Sequence, residues 1–130
     1  MGEAVTESTT IEYGRLVGVP AFMAEENWGQ ISPFIERVIK KMELGDYLDP
    51  EDILESVNRQ DMQLWIVPAE GDKSIDAVIV TQILIYPKCR VFDLYLVAGA
   101  NMRSWVHEAM GILKGYGRSE GCKFIRGKGS

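Results

Sequence analysis

The chain has 130 residues, 46% of them apolar and 25% charged, and a formal charge of −5. That size and balance suit one globular domain with a real core. The negative charge argues against non-specific binding to nucleic acid or acidic lipid, and the longest apolar run, 77–86, falls far short of a bilayer span. Two cysteines, Cys89 and Cys122, lack CxxC spacing and a histidine suited to zinc. They imply no metal site and two reduced thiols, as expected in a cytoplasmic setting.

The charge is uneven. Residues 1–61 carry 13 acidic and 5 basic side chains, and residues 62–130 carry 6 and 9. Residues 1–12 are polar and read as a flexible leader. A first strand is expected over 15–19, closed by Pro20, with a turn of helix over 21–27. A helix is expected from Ser32 as cap and Pro33 as first residue, with Phe34, Ile35, Val38, Ile39 and Met42 on its buried stripe and Gly45 as its stop. A second helix opens on Asp49-Pro50, with Glu51 and Asp52 suited to its positive end. Its inner face carries Ile53, Leu54 and Val57.

The period then changes to two. Strands are expected over 63–67 and 75–86, the second nearly continuous in β-branched residues and hence central. A third runs over 90–97, with Phe92, Leu94 and Leu96 on one face and Val91, Asp93, Tyr95 and Val97 on the other. A small-residue corner, Ala98-Gly99-Ala100-Asn101, leads into a long amphipathic helix over 102–120. Asn101 is its expected cap and Gly121 its left-handed stop. A last strand, 122–125, should lie parallel to the strand before the helix. The basic end at 127–130 fails the phosphate-loop pattern, since Lys128 precedes its glycine and no helix follows.

The order β-α-α-β-β-β-α-β, with the 91–97 strand running into this corner and helix, resembles the GCN5-related N-acetyltransferase (GNAT) family, most closely its short bacteriophage-type members. The likeness rests on Gln63-Leu-Trp-Ile-Val67, the Tyr86-Pro87-Lys88-Cys89-Arg90 turn, the 94–99 strand end, and Trp105 followed by Glu120-Gly121-Cys122. It implies an α/β (α+β) fold over residues 13–130: a mixed, mostly antiparallel sheet flanked by helices, without the family's usual C-terminal helix and strands. It also implies acetyl-CoA as cofactor, lying along the 90–97 strand with its pyrophosphate on the amides of the following turn. Leu96, Val97, Gly99, Ala100, Asn101 and Arg103 are the implied contacts. Elementary electrostatics favours the same place, because the amides that open a helix attract phosphate. The family signature Arg/Gln-x-x-Gly-x-Gly/Ala is reduced here to a one-glycine corner with its arginine after the turn.

Acyl transfer to an amine needs a base for the ammonium and an acid for the departing thiolate. Asp93 and Tyr95 share a strand face and are the candidates, with a salt bridge for Asp93 and simple packing for Tyr95 as the plainer reading. His107 falls outside the buried helix stripe, and Cys89 and Cys122 lack a positioned base. Two functions remain open. One is an acyl-CoA-dependent N-acetyltransferase of phage type acting on an amine acceptor. The other is a non-catalytic virion, head-accessory or host-protein-binding module. The protein would then reside in the host cytoplasm or the virion, with a homo-oligomer or larger assembly covering an exposed sheet edge.

Overall fold

The computed structural model describes residues 16–69 and 74–127. The leader at 1–12, the start of the first strand, most of the 69–74 connection and the last three residues lie outside the described residues. The elements run β1 (Val17–Val19), α1 (Ala21–Glu26), α2 (Trp28–Lys41), α3 (Pro50–Asn58), β2 (Met62–Pro68), β3 (Ile75–Ile85), β4 (Arg90–Gly99), α4 (Met102–Ser119) and β5 (Cys122–Gly127). The sheet order is β1-β2-β3-β4-β5. Every neighbouring pair is antiparallel except β4 and β5, which are parallel because α4 carries the chain back between them.

Two cores lie on the two faces of this sheet. Ile31, Ile35 and Ile39 of α2 and Ile53 and Val57 of α3 pack with Leu64, Val78, Val80, Leu96 and Ala98 on one face. Trp105, Ala109 and Leu113 of α4 pack with Trp65, Val67, Ala77, Ile79 and Phe92 on the other. The β-branched run of β3 is therefore covered on both sides, as expected of a central strand.

Some local expectations change. The 21–27 turn is a helix in its own right. Asn27 ends α1 and opens α2, its carbonyl accepting from the amides of Gln30 and Ile31. The next helix thus begins at Trp28, not Ser32, which brings Ile31 onto the buried stripe four residues before Ile35. Pro33 sits inside α2. The Gly29 carbonyl it leaves unpaired is on the exposed face, where water can serve it. Glu43, at φ 59°, ends α2 two residues before the glycine expected to do so. The Glu43 and Leu44 amides close the helix end on the Lys40 and Ile39 carbonyls. Asp49 caps α3 as expected, in a reciprocal box with Asp52.

Candidate functional site

The corner between β4 and α4 is built on one glycine. Gly99 adopts φ +155°, and a Cβ there would lie 2.4 Å from the Ala77 Cβ and 2.5 Å from the Asp76 carbonyl oxygen. Only glycine lets β4 approach β3 this closely before the chain turns. Ala100 is then bonded on both sides: its amide donates to the Asp76 carbonyl at 2.9 Å, and its carbonyl accepts from Trp105 Nε1 at 2.8 Å. The Trp105 ring, 2% exposed, thereby pins the corner to the α4 core.

This narrows the expected anion cradle. The Ala100 amide is spent within the protein. Asn101 stands at the cap position, but in a left-handed conformation (φ 57°, ψ 37°) and without a side-chain cap bond. Its amide side chain reaches the Asp76 carboxylate at 3.4 Å instead. The α4 start is closed by Ser104, whose amide and hydroxyl both donate to the Asn101 carbonyl. The amides of Asn101, Met102 and Arg103 have no such acceptor among the described residues, and all three residues are exposed. The first turn of α4 keeps the donors and dipole that suit a phosphate. Among the described residues, the amides without an internal acceptor therefore begin one residue later than Gly99-Ala100.

Upstream, β4 carries a bulge. Val80 pairs with Leu96 and Thr81 with Leu94, so Tyr95 is an extra residue without a partner on β3. The bulge resets the alternation. Phe92 and Leu94 face α4, whereas Leu96 and Ala98 pack with α2 and α3. The expectation that Phe92, Leu94 and Leu96 share a face is corrected at Leu96, and Val97 correspondingly leaves the face of Asp93. Asp93 and Tyr95 do share a face: Asp93 pairs with Gln82, in phase with Val78 and Val80, and Tyr95 packs against the same core.

Asp93 is 3% exposed and both its oxygens are engaged. Oδ2 accepts from Gln82 Nε2 at 2.9 Å and Oδ1 from Arg126 Nε at 3.0 Å. The Asp93 carboxylate, bonded to the guanidinium and attracting it, raises the Arg126 pKa, with a further contribution from Tyr86. Tyr95 is half-buried, and its hydroxyl forms no hydrogen bond among the described residues. β5 pairs with β4 from Arg90 to Leu94. Among the described residues, the second half of β4, from Tyr95 to Gly99, has no strand on that side. Val97 within it is 38% exposed.

A second polar system lies on the α4 face. Trp65 Nε1 donates to Thr81 Oγ1 at 3.0 Å, and that hydroxyl donates to Gln63 Oε1 at 2.8 Å. It borders an open concavity of about 550 Å³ lined by Gly18, Gln63, Trp65, Tyr116 and Glu120, at the end of the sheet away from Gly99. His107 is exposed. The thiol of Cys122 is pushed up by burial, the wrong direction for a nucleophile. Among the described residues no cluster of three or more His, Cys, Asp or Glu side chains could hold a metal ion, and no helix is long and apolar enough to cross a membrane.

The bonding partners Arg126, Gln82 and Asp76 were not visible in the sequence. Each depends on strand register, and bulges at Tyr95 and between Cys122 and Phe124 shift that register by a residue.

Comparison with known proteins gives the class of fold. No protein-family model matches the sequence, and no curated protein does. Solved structures do. A structure described as a probable acetyltransferase superposes with a TM-score of 0.69 at 14% identity, covering 89% of this chain and 79% of its own. An aminoglycoside acetyltransferase from an uncultured soil metagenomic sample, in complex with sisomicin, gives 0.65 at 11% identity, covering 88% and 76%. A ribosomal-protein-alanine N-acetyltransferase from Brucella melitensis biovar Abortus 2308 gives 0.64 at 8% identity, covering 88% and 79%. The chain has the GNAT acetyltransferase fold: a five-stranded, mostly antiparallel open sheet flanked by four helices.

Proposed function

We propose that this chain is an acetyl-CoA-dependent N-acyltransferase that works along the unpartnered half of β4. One observation carries the reading: beyond the Tyr95 bulge, β4 has a main-chain edge that no other strand among the described residues covers and that ends at the first turn of α4. An extended ligand with an anionic end fits such a path. Amide groups on the strand edge bond its length, and the amides of Asn101, Met102 and Arg103 meet its phosphates. Arg103, exposed and without an ion pair among the described residues, adds a cation there. The main chain of Leu96, Val97 and Gly99 lines the approach, the Leu96 side chain being turned into the core.

Acetyl-CoA supplies an activated acyl thioester. The chain's part is to bind it, align it with the amine and manage protons. Tyr95 is assigned the proton held for the departing sulfur, since the residue is half-buried, set at the bulge and without a side-chain hydrogen bond among the described residues. Asp93 is assigned a holding role: a carboxylate with both oxygens bonded is poorly placed to take a proton. The test is calorimetric titration with acetyl-CoA, followed by thiol release with a panel of amines. Saturable heat is expected, and Tyr95→Phe should keep that heat while lowering turnover by about 100-fold. No heat at high cofactor concentration overturns the reading.

A second reading, a non-catalytic phage-type module for a virion or host-protein partner, is favoured by the Ala100 amide already bonded to Asp76. It would be marked by absence of cofactor binding in a folded protein.

A further inference from the structure

At the β5 side of the sheet, on the face shared by Asp93 and Tyr95, one cation is held unusually firmly. Arg126 stands beside Asp93 in register. Its Nε donates to Asp93 Oδ1 at 3.0 Å, and Gln82 fixes the other oxygen. The carboxylate is buried, yet the arginine side chain is 57% exposed. Asp93 is its only carboxylate partner among the described residues, and the Tyr86 phenol is the other group acting on it.

Neutralising Asp93 takes one of the five donors of a guanidinium. The Tyr86 phenol engages the guanidinium as well; the donors left over, on a side chain 57% exposed, suit a carboxylate, whose two oxygens match the planar guanidinium fork. On this face Arg126 is the cation that the geometry fixes: Arg90 and Lys123 lie toward α4, where Arg90 bonds the Glu120 main-chain carbonyl and Lys123 lines a hollow with Gly117 and Arg118. Tyr95 lies two residues along β4 from Asp93, a strand distance of about 6 Å.

We infer that Arg126, held by Asp93, reads a carboxylate on the acceptor, so that the amine this chain acylates carries a carboxylate a few bonds from its nitrogen. The inference rests on the transferase reading and names its substrate class.

The experiment compares thiol release from acetyl-CoA with each common amino acid and β-alanine, each against its own carboxamide, with phosphoethanolamine and putrescine alongside. Acetyl-CoA heat is recorded on the same samples. The best carboxylated amine should surpass its amide by about tenfold to a hundredfold in kcat/KM. Arg126→Gln should remove that preference through KM, leaving the amide's KM and the cofactor heat as they were. Arg126→Lys, which keeps a charge on Asp93, should restore part of it. A structural role alone would move acid and amide together.

Equal use of acid and amide by the wild-type protein, a ratio unchanged in Arg126→Gln, no turnover with any carboxylated amine, or preference for phosphoethanolamine or putrescine each overturns the inference. The wild-type ratio needs no variant, so a folding defect in Arg126→Gln does not shield it. Absence of cofactor heat overturns the transferase reading itself, which separates the two failures.

Discussion

At the residue scale, the corner is decided by the hydrogen atom that Gly99 carries in place of a side chain. A methyl group there meets the Ala77 Cβ and the Asp76 carbonyl well inside contact distance, at a φ of +155° that L side chains rarely adopt. Relief would move β4 off β3 or break the bond from the Ala100 amide to Asp76. Gly99→Ala should therefore lower stability by about 1–3 kcal/mol. Gly111, in the middle of α4 with nothing within 4 Å of its would-be Cβ, should behave in the opposite way. Gly111→Ala should raise stability by about 0.5–1 kcal/mol through helix propensity and unfolded-chain entropy. Urea titrations of the two variants against the parent check both signs. A Gly99→Ala protein as stable as the parent would mean the corner is looser than its close contacts imply.

At the element scale, what the sequence discloses depends on how local the cause is. The Asp49-Pro50 start of α3, the central position of β3 and the left-handed stop at Gly121 rest on neighbouring residues, and they are legible. The start of α2 is not, because Ser32-Pro33 offers a good local signal that burial of Ile31 overrides. Glu43 and Gln60 take left-handed turns at φ 59° and 66° without glycine. The apolar residue after Glu43, Leu44, is drawn into the core and holds the first turn in place. The candidate site was legible as a strand, a corner and a helix start, and as the shared face of Asp93 and Tyr95. The spent Ala100 amide and the Asp93–Arg126 bond were not, since both join segments distant in sequence. The α3 cap offers a quantitative check on the local side. Asp49→Ala removes the carboxylate that accepts from the Asp52 amide and leaves only the reciprocal bond from the main-chain amide at position 49 to the Asp52 carboxylate. It should cost about 1 kcal/mol, read as a lowered urea midpoint with an unchanged slope. No measurable cost would mean α3 is held by Ile53 and Val57 alone.

At the scale of the whole molecule, the sheet separates two cores, and Tyr116 of α4 joins the aromatic groups of the second. Its ring meets Trp65 edge-on at 5.2 Å and Phe92 at 5.5 Å. Burial, then the nearby Glu120 and Cys122, raises its pKa above the ordinary 10.0. Burial likewise raises Cys122 above 9.0, against the pull of Arg90. Both groups hold their protons in the folded state at pH values where the unfolded chain has released them. Stability from this source is complete below the unfolded values and falls as pH rises through the folded ones. Urea midpoints should thus stay level with respect to these two groups up to about pH 9, decline as Cys122 begins to titrate in the unfolded chain, and decline more steeply above about pH 10 as Tyr116 joins it. Tyr116→Phe keeps the ring contacts and removes the phenol. It should flatten the upper part of the alkaline limb and leave the part beginning near pH 9 in place. If the variant instead loses stability equally at pH 8 and pH 11, the phenol acts through a hydrogen bond and not through proton linkage.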